Sequence, residues 1–265
     1  MALTFTILGC GSSAGVPRVG QGWGACDPNN PKNRRRRCSL LVEQADSTGR
    51  CTTVLVDTSP DLRAQLLDAD VKSLDGVLYT HAHADHTHGI DDLRPLMLNM
   101  GRRIDIHADA PTAELLKARF GYCFSTPVGS EYPPILNEHR IAAGKPVTIT
   151  GEGGPIAALP FIQDHGNERT LGFRFGGLAY SCDVSAISDS SLPALSGLDV
   201  WILDALRYRP HPSHFSLEEA LAWIARLKPR QAILINLHTD LDYETLRKSL
   251  PESVEPAYDG LKIVL

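Results

Sequence analysis

The sequence predicts an α/β fold in which two β-sheets pack together and helices cover the outside. Three observations carry that prediction. Short apolar segments rich in Leu, Val and Thr dominate the first half of the chain, a second set repeats the rhythm, and helical patterns follow each set. No break in composition marks a linker, so residues 1–265 are expected to form a single domain.

In the first half the expected strands are "LTFTIL" (3–8), "CSLLVE" (38–43), "TTVLVD" (52–57) and "GVLYT" (76–80). Between the first two lies a Gly/Pro/Asn/Arg-rich loop over 11–37, too long for an ordinary connector and therefore expected to be functional. Helices are expected at "PDLRAQLLDA" (60–69), "DDLRPLMLNM" (91–100) and "APTAELLKARFG" (110–121). In the second half "PIAALPFI" (155–162), "TLGFRFG" (170–176), "LAYSCD" (178–183), "DVWILDAL" (199–206) and "QAILINL" (231–237) read as strands. "SLEEALAWIARLK" (216–228) is the clearest amphipathic helix, with apolar residues at 217, 220, 221, 224 and 227. Ser216 suits its N-cap, and Glu218 and Glu219 suit its positive first turn. "DYETLRKSL" (242–250) is a last helix before a terminal strand in "GLKIVL".

A hydrophobic content of 43% with 22% charge is ordinary for a chain with a sizeable core. The net charge of −5 argues against a polynucleotide or an anionic membrane surface as partner, because such binding needs a positive face. No stretch approaches the roughly 20 apolar residues of a membrane span. The six cysteines (10, 26, 38, 51, 123 and 182) are scattered without a CxxC pair, which suits a reducing compartment. "MALTFTILGCGSSAGVP" lacks a basic leader and reads as a first strand, so a cytoplasmic protein is expected.

The chemistry concentrates in "YTHAHADHTHGI" (79–90), where four of the ten histidines (His81, His83, His86 and His88) surround Asp85. Burying four imidazoles and a carboxylate without partners is expensive, which makes a packing role a poor explanation. At the end of an extended strand, side chains two residues apart point the same way, so His81 and His83 can converge on one ion. The chain then turns, and Asp85 and His86 can reach a second point close by. Imidazole and carboxylate donors suit zinc, manganese or iron rather than calcium. Further donors follow apolar strands elsewhere: His165 in "FIQDHGN", Asp183 in "AYSCDVS" and His238 in "AILINLHTD".

In that order these residues resemble the ligand motifs of the metallo-β-lactamase superfamily, over essentially the whole chain. The resemblance implies an αββα four-layer sandwich carrying two divalent metal ions, Zn²⁺ or Mn²⁺, at one edge of the packed sheets. Carried over by position, His81, His83 and His165 would bind one metal. Asp85, His86 and His238 would bind the other, and Asp183 would bridge both. Asp57, in "LVDTSPDL", matches a motif residue that orients ligands through hydrogen bonds rather than touching metal. His88, two residues past His86, is assigned the same kind of supporting role. The reaction implied is hydrolysis, with a metal-bridging hydroxide as nucleophile.

Within the superfamily, "LGCGSSAGVPR" and "NRRRRCSLLV" resemble a branch near ribonuclease Z and the phosphoribosyl cyclic phosphate phosphodiesterase. The run Arg34–Arg37, read alone, is a solvated face. On an alternating strand about half of it would turn inward, and guanidinium groups grip phosphate bidentately, which makes Arg35 and Arg37 candidate substrate contacts. "RPHPSHFSLEEAL" offers His214 just before a helix, where the branch places a histidine that protonates the leaving oxygen; with Asp85 it forms the catalytic assignment. The expected substrate is a small phosphodiester or cyclic nucleotide or ribose phosphate. The alternatives are a thioesterase or lactonase of the same superfamily and a metal- or nucleotide-binding module without turnover. Two departures from the branch stand out. "GQGWGACDP" keeps only Cys26, and Leu241 stands three residues after His238, so no structural zinc is expected. The long arm with which ribonuclease Z grips tRNA has no counterpart either. The loop 11–37 is expected over the site, with Trp23 either stacking on a substrate ring or packing within the loop. The resemblance also suggests a homodimer.

Overall fold

The structure, a computed structural model, describes residues 2–265. The chain begins with β1 (Leu3–Gly9), β2 (Ser39–Ala45) and β3 (Cys51–Val56), which pair antiparallel in that order. Helix α1 (Leu62–Asp68) then crosses to β4 (Gly76–Leu78), which pairs parallel to β3. A single helical turn, α2 (Ala84–Thr87), and α3 (Arg94–Met100) lead to β5 (Ile104–Ala108), and α4 (Ala110–Phe124) leads to β6 (Leu136–Arg140). The second sheet starts with the antiparallel run β7 (Val147–Gly151), β8 (Gly154–His165), β9 (Glu168–Phe175) and β10 (Leu178–Ser181). It continues in parallel through α5 (Leu192–Leu195), β11 (Val200–Asp204), α6 (Leu217–Leu227), β12 (Gln231–Ile235), α7 (Tyr243–Ser249) and β13 (Val254–Pro256). β14 (Lys262–Val264) returns to the free edge of β1 and completes the first sheet.

Period-two patterning explains why these sheets stack. Leu40 and Val42 of β2 face the layer between the sheets, while Leu41 faces the helices outside. In β11 the same alternation sends Val200 and Ile202 inward and Trp201 and Leu203 outward. Both faces are therefore apolar, as expected of strands covered on both sides. α1, α3 and α4 cover the first sheet through Leu66, Met97 and Leu116. α5, α6 and α7 cover the second through Leu195, Ile224 and Leu246. Each such side chain, fully buried, contributes on the order of 1.5–3 kcal/mol. The predicted αββα four-layer sandwich is the observed fold.

Several elements depart from expectation. β5, β6, β7 and β13 were not foreseen. β6 buries only Leu136, so its sequence carries no alternation, and β13 has only three residues. The helix expected over 91–100 is split: Ile90–Leu93 forms a 3-10 turn and α3 restarts with Pro95 in its first turn, where a missing N–H costs nothing. Ser216 caps α6 as expected, in a reciprocal box with Glu219.

The loop 11–37 is built into the fold. Ser12 N–H donates to Leu237 O (3.4 Å), Ala25 N–H to Thr239 O (2.8 Å), and Asn33 Nδ2 to Asp242 Oδ2 (2.7 Å). It thus lies along the turn that carries His238. Gly24 has a left-handed φ of 59°, and an added Cβ would sit 2.7 Å from the Thr239 side chain and carbonyl, so only glycine allows this approach.

Candidate metal centre

The donors gather where the parallel strands of both sheets end, the usual place for function in open α/β sheets. Three of these ends turn through left-handed backbone: Asp57 (φ 63°) after β3, Asp183 (φ 52°) after β10 and Asn236 (φ 63°) after β12. Asp and Asn tolerate that conformation better than other side chains do, and it aims each one across the strand ends. His81 follows β4, His83 precedes the first turn of α2, Asp85 and His86 lie on that turn, and His165 closes β8.

One donor atom each from His81, His83, His165 and Asp183 all lie within 4.8 Å of one another. Asp183 Oδ2 stands 3.7 Å from both His81 Nε2 and His165 Nε2. His165 is oriented by Nδ1–H donation to Ser213 O (2.6 Å), and His81 Nδ1 lies 3.0 Å from Thr80 Oγ1. His81 Nε2 is buried with no hydrogen-bond partner. Burial holds the His81 imidazole well below its ordinary pKa, and burial lowers that of His165 as well, so both present neutral rings. Neutral imidazoles converging on an ionised carboxylate, one with an orphaned nitrogen, fit a divalent cation.

Around His86 a second set begins to form. His86 Nε2 lies 3.3 Å from Asp183 Oδ1 and 3.5 Å from Asp85 Oδ2. On its other side His86 Nδ1 meets Asp57 Oδ2 at 2.7 Å. Asp57 also accepts from Thr80 N–H (2.8 Å) and Thr80 Oγ1 (2.7 Å), so this fully buried carboxylate orients His86. Burial alone would lower the His86 pKa, but the three carboxylates outweigh it and hold it well above the ordinary value. The same His86 charge outweighs the burial of Asp183 and keeps that carboxyl well below its usual range. Asp183, Asp85 and Asp57 thus converge on His86 as a concentration of negative charge that calls for a cation. His238 is held apart from this set: its Nε2 meets Arg18 Nη1 at 2.5 Å, and its Nδ1 lies 3.2 Å from Thr239 Oγ1.

Beside the donors stands a dyad that the sequence reading identified only by half. His214 Nδ1–H donates to Asp204 Oδ2 (2.7 Å) at the end of β11, and the His214 ring lies 4.6 Å from that of His165 between centroids. Asn236 Nδ2 lies 3.1 Å from both Asp183 Oδ1 and His214 Nδ1. Burial pushes Asp204 up to about 6. Burial would lower His214, but the charge and hydrogen bond of Asp204 outweigh it and raise the imidazole to about 9. At neutral pH the pair is therefore an imidazolium on a carboxylate.

The arginine run requires correction. Arg35 is 2% exposed and spends its guanidinium on Leu241 O (2.8 Å), His238 O (3.3 Å) and Asn33 Oδ1 (3.2 Å). With its guanidinium buried on these acceptors, Arg35 pins the loop and is not available to substrate. Arg36 pairs with Asp68 and Arg34 lies over Trp23, which makes Trp23 a loop-packing residue. Arg37 pairs with Asp61 at 3.1 Å and reaches a recess of about 430 Å³, whose walls also include Ser13, Arg18, Gln21, Pro60 and Asp85. His88 is a second correction: it is exposed, stacked edge-on against Phe120, because its place at the end of α2 turns it away from the donors. Asp204, Asn236 and Arg18 were missed. The first two carried a faint signal, a polar residue closing an apolar strand.

A family model for the beta-lactamase superfamily domain matches residues 52–236. An octanoyltransferase of Porphyromonas gingivalis (strain ATCC BAA-308 / W83) is 32% identical over 264 residues, 98% of this chain and 51% of that protein. The chain thus spans about half the length of the curated relative it matches. Among solved structures, a diphosphatase from the PhnP family is 36% identical, with 100% of this chain and 98% of that one covered at a TM-score of 0.89. Zn²⁺-bound PqqB from Methylobacterium extorquens (17% identical, 98% and 99% covered, TM-score 0.75) shares the fold. So does the short form of human tRNase Z (16% identical, 98% and 98% covered, TM-score 0.63).

Proposed function

The chain belongs to the beta-lactamase superfamily, and from that premise we propose that it is a metal-dependent hydrolase of a small phosphodiester, cyclic phosphate or diphosphate-linked compound. His81, His83, His165 and Asp183 would hold one divalent cation, and Asp183, Asp85, His86 and His238 a second. Bound cations supply charge neutralisation to a phosphoryl oxygen and a water of lowered pKa. Asp57 keeps the His86 ring turned so that Nε2, not Nδ1, faces the centre.

The observation that carries the reading is the His214–Asp204 dyad beside the donor cluster. Asp204 engages Nδ1, which leaves Nε2–H of the imidazolium to protonate a departing oxygen. A thiolate leaves unaided, since a thiol has a pKa near ~8.5, whereas an alkoxide needs that proton. The dyad therefore favours an oxygen ester over a thioester. The 36% identical diphosphatase supports a phosphoryl centre over a carbonyl one.

Metal-loaded protein is expected to hydrolyse bis(p-nitrophenyl) phosphate and a 2′,3′-cyclic nucleotide. His214→Ala should lower kcat on the cyclic nucleotide by roughly 10²–10⁴-fold with metal content unchanged. The loss on the aryl diester, whose leaving group is activated, should be much smaller. Cleavage of acyl thioesters or lactones with no action on either diester overturns the proposal.

A further inference from the structure

Two arginines line the recess beside Asp85, and they differ in what satisfies them. Arg37 is paired with Asp61, whereas the polar contact of the Arg18 guanidinium, among the described residues, is the ring nitrogen Nε2 of His238. That contact has a competitor. The single lone pair of Nε2 either accepts an N–H from Arg18 or binds a cation, so a cation on His238 releases Arg18. The backbone of the loop is fixed around it. Val16 and Arg35 exchange N–H···O bonds of 2.8 and 2.9 Å, Arg18 and Gly22 exchange bonds of 2.9 and 2.8 Å, and Ala25 N–H is held by Thr239 O. The side chain alone is left to move, into a recess whose other polar walls are Ser13, Gln21, Arg37 and, at its metal-facing end, Asp85.

We propose that Arg18 is a specificity-determining residue of the proposed hydrolase: released from His238, it joins Arg37 in binding the phosphate oxygens of the substrate. A guanidinium presents a planar fork of donors matched to two phosphate oxygens, and this one gives up no carboxylate partner to do so. The inference rests on the phosphoester reading above, but its test needs no turnover.

Inorganic phosphate is titrated calorimetrically into zinc- or manganese-loaded wild type, Arg18→Gln and Arg18→Lys, with thermal unfolding to verify that each is folded. Arg18→Gln should bind phosphate at least tenfold more weakly, and Arg18→Lys should recover part of the loss. In the metal-free protein, Arg18→Gln should take up its second equivalent of metal at least as tightly as wild type, because nothing then competes for His238. Equal phosphate affinity in Arg18→Gln and wild type, no phosphate binding by wild type, or loss of the second metal equivalent in Arg18→Gln each overturns the proposal. A wild type that binds phosphate through Arg18 yet cleaves no phosphoester would instead count against the hydrolase reading.

Discussion

At the scale of single residues, Asp204 decides what His214 can do. A solvated imidazole titrates near ~6.5, so only a minority of molecules carry the acidic proton at neutral pH. The buried carboxylate of Asp204 at 2.7 Å raises it to about 9 and fixes Nδ1 as the bonded nitrogen. In Asp204→Asn the charge that favours the imidazolium is gone, so the His214 pKa falls. A general acid works only while protonated, so the alkaline limb of the kcat profile should move to lower pH in the variant. The acid side should change little. An unmoved alkaline limb removes the dyad from the mechanism. The same scale shows where residue-by-residue reading succeeds and fails. His81, His83, Asp85 and His86 are legible because four ligand-type side chains in one turn have no cheaper explanation. Asp204 in "WILDAL" is not, because an aspartate closing a strand is ordinary until His214 arrives from ten residues on. Arg34–Arg37 look alike in sequence, yet one is buried, two pair with aspartates and one lies over an indole.

At the scale of elements, α6 matters because the residues just before it carry His214. Its start is set by the reciprocal bonds of Ser216 and Glu219, with the Ser216 side chain accepting from Glu219 N–H and the Glu219 carboxylate accepting from Ser216 N–H (2.8 Å). Ser216→Ala removes the first of these and should cost about 0.5–2 kcal/mol, seen as a few degrees of Tm, with metal content unchanged. A Tm within error of wild type would mean that Ile224 and Leu217 in the core hold the helix without its cap. Elements were legible in proportion to how much of each was buried. β2, β3 and β11 lie in the middle of their sheets and read clearly. β6, with one buried residue of five, carries almost no pattern, and neither does the three-residue β13. The path of the loop 11–37 could not be read at all, since it is set by backbone and side-chain bonds to residues 237–243, more than two hundred positions away.

At the scale of the whole molecule, the two ends of the chain are stitched together beside the site. β14 pairs with β1, and the turn before it brings Asp259 to the end of β1. Asp259 accepts from Arg36 N–H (2.8 Å), Cys10 N–H (3.1 Å) and Cys10 Sγ (3.4 Å), so one carboxylate ties the C-terminal turn to β1 and to the arginine run. Burial outweighs those bonds and raises it from 3.8 to about 6. The native state therefore holds this proton more tightly than the unfolded chain does. Between pH ~4 and ~6 the native form binds more protons than the unfolded one, so the contribution of Asp259 to stability is full below that window and is lost as pH rises through it. Asp259→Asn cannot titrate. Urea unfolding of metal-free wild type and Asp259→Asn at pH 4.5 and 7.5 isolates this group, because the pH dependence of every other residue cancels in the difference. Wild type should exceed the variant by a larger margin at pH 4.5 than at pH 7.5, and an equal margin at both would show that the Asp259 carboxyl titrates in the fold as it does in the unfolded chain.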